Sequence, residues 1–128
     1  MDYEPLKHAE RLAGSLQTAV FIVDPDGNLL FYNAPAEAAL GRRFKESGPL
    51  PASVWSRIFV PSDEGGNPLA PDDLPLMISL RERRPAYGTM WIRGMDNQQR
   101  HIGVAAVPIT DTEGNQTGSM AIFWELKD

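Results

Sequence analysis

Residues 19–41, AVFIVDPDGNLLFYNAPAEAALG, decide the fold. Two short apolar runs, 19–23 and 29–32, flank Asp24-Pro25-Asp26-Gly27. Pro25 presets φ for the first central position of a turn, Asp26 tolerates the second, and Gly27 can take the left-handed conformation. A turn of this kind closes an antiparallel hairpin with a bulge. Asn33 then stands where a helix N-cap belongs. Pro35 falls near the first turn, where a missing N–H costs nothing, and Gly41 can end the helix.

Both faces of this hairpin are apolar. Strand alternation groups Phe21, Val23, Leu30 and Tyr32 on one side and Val20, Ile22, Leu29 and Phe31 on the other. A ribbon with one wet face would alternate with polar residues. The rest of the chain must therefore cover both sides.

At 128 residues the chain is long enough for one domain with a real core. A net charge of −5 argues against nucleic acid or an anionic membrane as partner. Arg81, Arg83 and Arg84 cluster locally, as a solvated helix end would. No cysteine is present, which excludes a disulfide, a thiolate nucleophile, a cysteine-bound zinc and an iron–sulfur cluster. Without a signal-peptide h-region or a run long enough to span a bilayer, a cytoplasmic location is expected.

Residues 2–17 read as a helix with Leu6, Ala9, Ala13 and Leu16 on one stripe and Leu12 beside it. It could pack on its own domain or pair with a second copy. Residues 42–51 look polar and irregular, and 53–59 suit one or two helical turns around Val54, Trp55 and Ile58. The stretch 59–75 is a loop by its glycine and proline content. A helix over 72–84 follows, capped by Asp72 or Asp73 and nearly all apolar at its centre, which implies burial on more than one side. Three strands are expected over 86–93, 99–107 and 117–125. Hairpins at both ends with helices between them indicate an α+β fold.

Asp-Pro-Asp-Gly, a strand ending in Tyr32-Asn33 and a helix ending in Leu40-Gly41 resemble the opening of a bacterial PAS domain. Pro108 to Gly114, then Gly118 and an apolar strand, are similar to that family's closing hairpin. The resemblance implies a five-stranded antiparallel sheet with helices on one face, a flanking N-terminal helix over 1–17 and the PAS domain over 18–128. It also orients the strands, since the residue two after the glycine of the last PAS strand usually faces the cavity. On that basis Met120 and Ile122 point inward, joined by Met90 and Ile92, by Ile102, Val104 and Ala106, and by Phe21, Val23, Leu30 and Tyr32. Met77 or Leu80 of the long helix would face them. For any one of them taken singly, ordinary core packing is the simpler reading.

The resemblance also tests cofactors. A flavin adduct or a thioester chromophore needs a cysteine and is excluded. Haem is disfavoured, because residues 72–84 hold no histidine, and His8 and His101 are better placed for surface or packing roles. A fatty acid or a non-covalent flavin stays open; an anionic dicarboxylate would find no inward cation. No catalytic or metal-ligating constellation stands out, so no enzyme is expected. The expected role is a sensory or regulatory domain that binds a small apolar ligand and signals through a homodimer, by way of Leu6, Leu12 and Leu16, or through an effector protein. A ligand-free interaction module is the alternative. Either could be free-standing or part of a histidine kinase or transcription regulator.

Overall fold

In a computed structural model of the chain, which describes residues 18–41, 43–94 and 96–126, the quoted stretch folds as its turn chemistry dictates. Strands β1 (Ala19–Val23) and β2 (Leu29–Tyr32) pair antiparallel around Asp24. The Asp24 carboxylate accepts from the backbone N–H of Asp26 at 2.9 Å and of Asn28 at 3.0 Å, and Gly27 sits at φ 86°. Two further turns repeat this device. Asp63 accepts from Gly65 and Asn67, both at 2.9 Å, with Gly66 at φ 85°. Asp111 accepts from Glu113 and Asn115, both at 2.9 Å, with Gly114 at φ 86°. All three share the pattern Asp-x-x-Gly-Asn.

The expected bulge changes which side chains share a face. Phe21 pairs with Tyr32 and Ile22 with Phe31, but Val23 pairs with Leu29, leaving Leu30 as the extra residue. Leu29 is therefore fully buried with Phe21, Val23 and Tyr32, whereas Leu30 packs with Val20 and Ile22 on the opposite side. Strict alternation assigned these two leucines the other way round, because it ignored the extra residue that its own turn implied.

Helix α1 (Ala34–Leu40) starts at Asn33, whose side chain is 3% exposed and does three jobs. Its Oδ1 accepts from Ala36 N at 3.2 Å and from Val20 N at 3.0 Å, while Nδ2 donates to Thr18 O at 2.8 Å. Gly41 closes the helix at φ 74°. The described part of the 42–51 stretch, 43–51, is more regular than its polarity suggests. It contains α2 (Phe44–Ser47), and Leu50 exchanges two backbone hydrogen bonds with Leu29 along the free edge of β2. Phe44 sets its ring edge-on to both Phe31 and Tyr32, which closes that edge from the side.

Helix α3 (Ala52–Ile58) follows, then the glycine- and proline-rich loop, a 3-10 turn over Pro71–Asp73 and α4 (Pro75–Glu82). The long helix thus begins later than 72, and neither Asp72 nor Asp73 caps it. Leu74 is extended at its start with no side-chain cap, and proline serves as the first helical residue. Helix α4 ends at Arg83, which takes φ 56°. Strands β3 (Ala86–Arg93), β4 (Gln99–Thr110) and β5 (Gln116–Glu125) complete the chain. Strand β4 runs past Pro108, which lies beyond the last β3–β4 pair, Ala86 with Ala106. Proline is tolerated there because only β5 runs alongside.

The sheet order is β2-β1-β5-β4-β3, antiparallel throughout. The hairpins from the two ends of the described chain meet where β1 lies against β5. Residues of α1, α3 and α4 share one buried cluster with the inner side chains of every strand, so these helices cover a single face. This is the α+β arrangement that the resemblance implies. The helix expected over 1–17, with Leu6, Leu12 and Leu16, lies outside the described residues.

Candidate functional site

The inner face of the sheet and the helices above it line a cavity of about 80 Å³. Its floor is Phe21 of β1, Ala121 and Phe123 of β5, Ile102 and Val104 of β4, and Met90 and Ile92 of β3. Leu40, Trp55, Phe59 and Pro61 form one wall, and Leu74, Pro75 and Leu76 roof the other side. Every one of these residues is buried. Four aromatic rings dominate the β1 end. Trp55 stands edge-on to Phe21 at 5.1 Å and Phe59 edge-on to the same ring at 6.2 Å, while Tyr32 stacks parallel to it at 6.1 Å. The Trp55 indole N–H donates to Gly27 O at 2.9 Å, which ties α3 to the first turn.

Five expected site residues meet here: Phe21, Met90, Ile92, Ile102 and Val104. Tyr32 belongs to the same core one ring away from the cavity. Met77 is partly buried and lies over the first turn, where its Cε would be 2.9 Å from a Cβ built on Gly27. Leu30, Met120 and Ile122 sit on the opposite face of the sheet. For Met120 and Ile122 the reason is register. Phe21 pairs with Ala121, so Ser119, Ala121 and Phe123 share the inner side, and Met120 pairs with Ile22 on the outer one. The offset counted from Gly118 selected the wrong parity. Phe59 and Pro61 escaped the sequence reading because they lie in or beside a loop with no periodicity to mark a face, while Trp55 and Leu74 fell within the helical stretches expected over 53–59 and 72–84, without being singled out as lining.

One wall is a strap. Residues 59–62 run along the free edge of β3, with Phe59 O accepting from Arg93 N and Ser62 exchanging two backbone hydrogen bonds with Trp91. The strap then turns onto the outer face, where Glu64 Oε1 accepts from Thr89 Oγ1 at 2.7 Å and meets His101 Nε2 at 2.6 Å. His101 stacks on Trp91 with ring centroids 4.6 Å apart. The imidazole beside Glu64, followed by the Thr89 hydroxyl, holds this carboxyl below the usual carboxylate range. The ionised oxygen is acceptor only, so Nε2 carries the proton.

A group with a depressed folded pKa supports folding above its unfolded pKa, and the support is lost as pH falls through the folded value. The strap should accordingly loosen below the ordinary glutamate range. Glu64→Gln is expected to raise amide exchange at Ser62 and Trp91 several-fold at pH 7 while the melting temperature changes little. In the parent protein the same amides should lose protection only on acidification; equal exchange in both proteins at pH 7 would remove Glu64 as the fastener.

The strap is also strained. Val60 takes φ 44° immediately before Pro61, with its side chain half exposed. A β-branched residue there is a genuine outlier. The left-handed conformation costs an L-residue about 1–2 kcal/mol, while glycine costs about 0.5–1 kcal/mol in chain entropy. Val60→Gly is therefore expected to stabilise the fold by about 0.5–1 kcal/mol, read from the urea midpoint. A loss of stability would show that the Val60 side chain contributes more than its backbone costs.

A second depression of about 390 Å³ lies between α1 and the end of β5, bordered by Arg100 and Glu125. Arg100 is already held by Asp96, at 2.8 Å and 3.2 Å. Among the described residues no group of three or more His, Asp or Glu is placed to hold a metal, and no helix is long and apolar enough to cross a membrane.

No family model and no curated protein matches the sequence. Solved structures do match. A light-oxygen-voltage (LOV) protein of Rhodobacter sphaeroides aligns with a TM-score of 0.74 at 12% identity, over 97% of this chain and 68% of that one. The PAS domain of Bordetella pertussis BvgS aligns at 0.63 and 14% identity, over 96% of this chain and 86% of that one. The PAS domain of nitrogen regulation protein NR(II) from Vibrio parahaemolyticus aligns at 0.64 and 16% identity, over 92% of this chain and 97% of that one.

Proposed function

The chain has the PAS fold, and from that premise we propose that it is a sensory or regulatory domain of signal transduction. A small apolar ligand occupies the cavity, and its presence is passed on through dimer or partner contacts. The observation that carries this reading is the buried, wholly apolar cavity at the place where both terminal hairpins and three helices meet. A ligand wedged there biases the sheet against the helices, which is the differential contact a two-state sensor needs. In this reading the protein is cytoplasmic, performs no catalysis, and dimerises through Leu6, Leu12 and Leu16. With no cysteine in the sequence, no adduct or thioester cofactor has an attachment point.

Mass spectrometry of the denatured protein and an absorption spectrum of the purified protein test this. A co-purifying apolar compound or a visible chromophore supports it. Clean apo protein that dimerises with concentration supports the second reading, a ligand-free interaction module. That alternative is favoured by the outer face, where Tyr87 (63% exposed) stacks on Trp124 (39% exposed) and Val107 (37% exposed) lies on the next strand.

A further inference from the structure

The lining of the cavity says what class of molecule it admits. We propose that the cavity takes a compact, uncharged molecule with no hydrogen-bonding group, its upper size limit a single aromatic hydrocarbon ring. This rests on reading the cavity as the ligand site.

Size is the first reason. The volume of about 80 Å³ is roughly half that of a dry, apolar cavity of about 150 Å³ that admits benzene or xenon. Pockets for drug-sized ligands start at about 300 Å³. A single ring enters if flexible wall residues yield, and Met90 and Leu76 are unbranched enough at Cβ to do so. A flavin or a long acyl chain would need the α3 wall or the α4 roof displaced.

Chemistry is the second reason. Every lining side chain is a hydrocarbon, an indole or a thioether. The one strong donor among them, Trp55 Nε1, is committed to Gly27 O at 2.9 Å. The buried polar side chains nearby, Asn33, Ser79 and Ser119, lie outside the lining. Asn33 bonds the backbone of β1 and α1, and Ser119 lies 3.1 Å from Ser79 and 3.0 Å from Val107 O. Backbone groups of the floor are held in the β3–β4–β5 ladder. A carboxylate, a hydroxyl or the polar edge of a flavin would lose its water and find no replacement.

The full chain is titrated with benzene, phenol, decanoate and flavin mononucleotide, and exposed to xenon under pressure. Methyl resonances of Ile92, Ile102 and Val104 and the melting temperature are followed. Benzene and xenon are expected to shift these methyls and raise the melting temperature, phenol to bind at least about tenfold more weakly, and decanoate and the flavin not to bind. Ala121→Leu, which fills the floor, should abolish the benzene response while the rest of the spectrum reports an intact fold. The smaller Val104→Ile provides the same control should the first variant fail to fold. Decanoate or flavin moving the cavity methyls, or phenol matching benzene, would overturn this assignment and leave the sensor reading standing. Silence from all five probes would overturn both.

Discussion

Trp55→Ala is expected to cost about 3–5 kcal/mol, the range for removing a large buried aromatic. The indole is 5% exposed, stands against Phe21 and donates to Gly27 O. Its loss would detach α3 from the first turn and open the cavity toward the strap. Against a typical total stability of about 5–15 kcal/mol, the variant should unfold at much lower urea. Trp55→Phe separates the two contributions. It keeps most of the packing, leaves Gly27 O unpaired, and should cost only about 1–2 kcal/mol. A cost below about 1 kcal/mol for the alanine variant would show that this wall is not closely packed against Phe21. Equal costs for the two variants would place the effect in the hydrogen bond.

Asn33→Ala follows in size, at about 2–4 kcal/mol. The helix cap is worth about 1 kcal/mol, and the Val20 N–H left buried without its side-chain acceptor adds about 1–3 kcal/mol. Thr18 O loses its donor as well. Asn33→Ser restores an acceptor for Ala36 N but is too short to bridge to Thr18 O, so it should recover about the cap alone. The amide of Val20 provides the local readout. Its exchange should accelerate in Asn33→Ala beyond what the loss in global stability explains; exchange that merely tracks global stability would make Asn33 a helix cap and nothing more.

How much of this could be read without coordinates differs by element. The first hairpin and α1 were legible because Asp24, Gly27, Asn33 and Gly41 each do a backbone task that few other residues can do. The Ala86–Arg93 strand was legible to the residue, being bounded by Pro85 and a polar turn. The second aspartate turn, at Asp63, was present as the same Asp-x-x-Gly-Asn spacing but was submerged in a stretch that composition marks as loop. What failed was the choice of face. A two-residue period gives parity without sign, and only pairing supplies the sign: Phe21 against Ala121 put Met120 outside. The bulge at Leu30 reversed the faces of Leu29 and Leu30, because an extra residue breaks the two-residue period itself. Phe59 and Pro61 were invisible as cavity wall because they owe their positions to long-range contacts, not to local periodicity.

The seam between β1 and β5 governs how the molecule comes into being. Val20 faces Ile122 at the middle of the sheet, so the central pairing joins segments made at opposite ends of the described chain. Closing so large a loop comes late and slowly, as it does in folds of high contact order. On the ribosome, the nascent β1–β2 ribbon would wait, greasy on both sides, until its last neighbour emerged. Loss of the final ten residues of sheet would split the fold at its centre instead of fraying its rim.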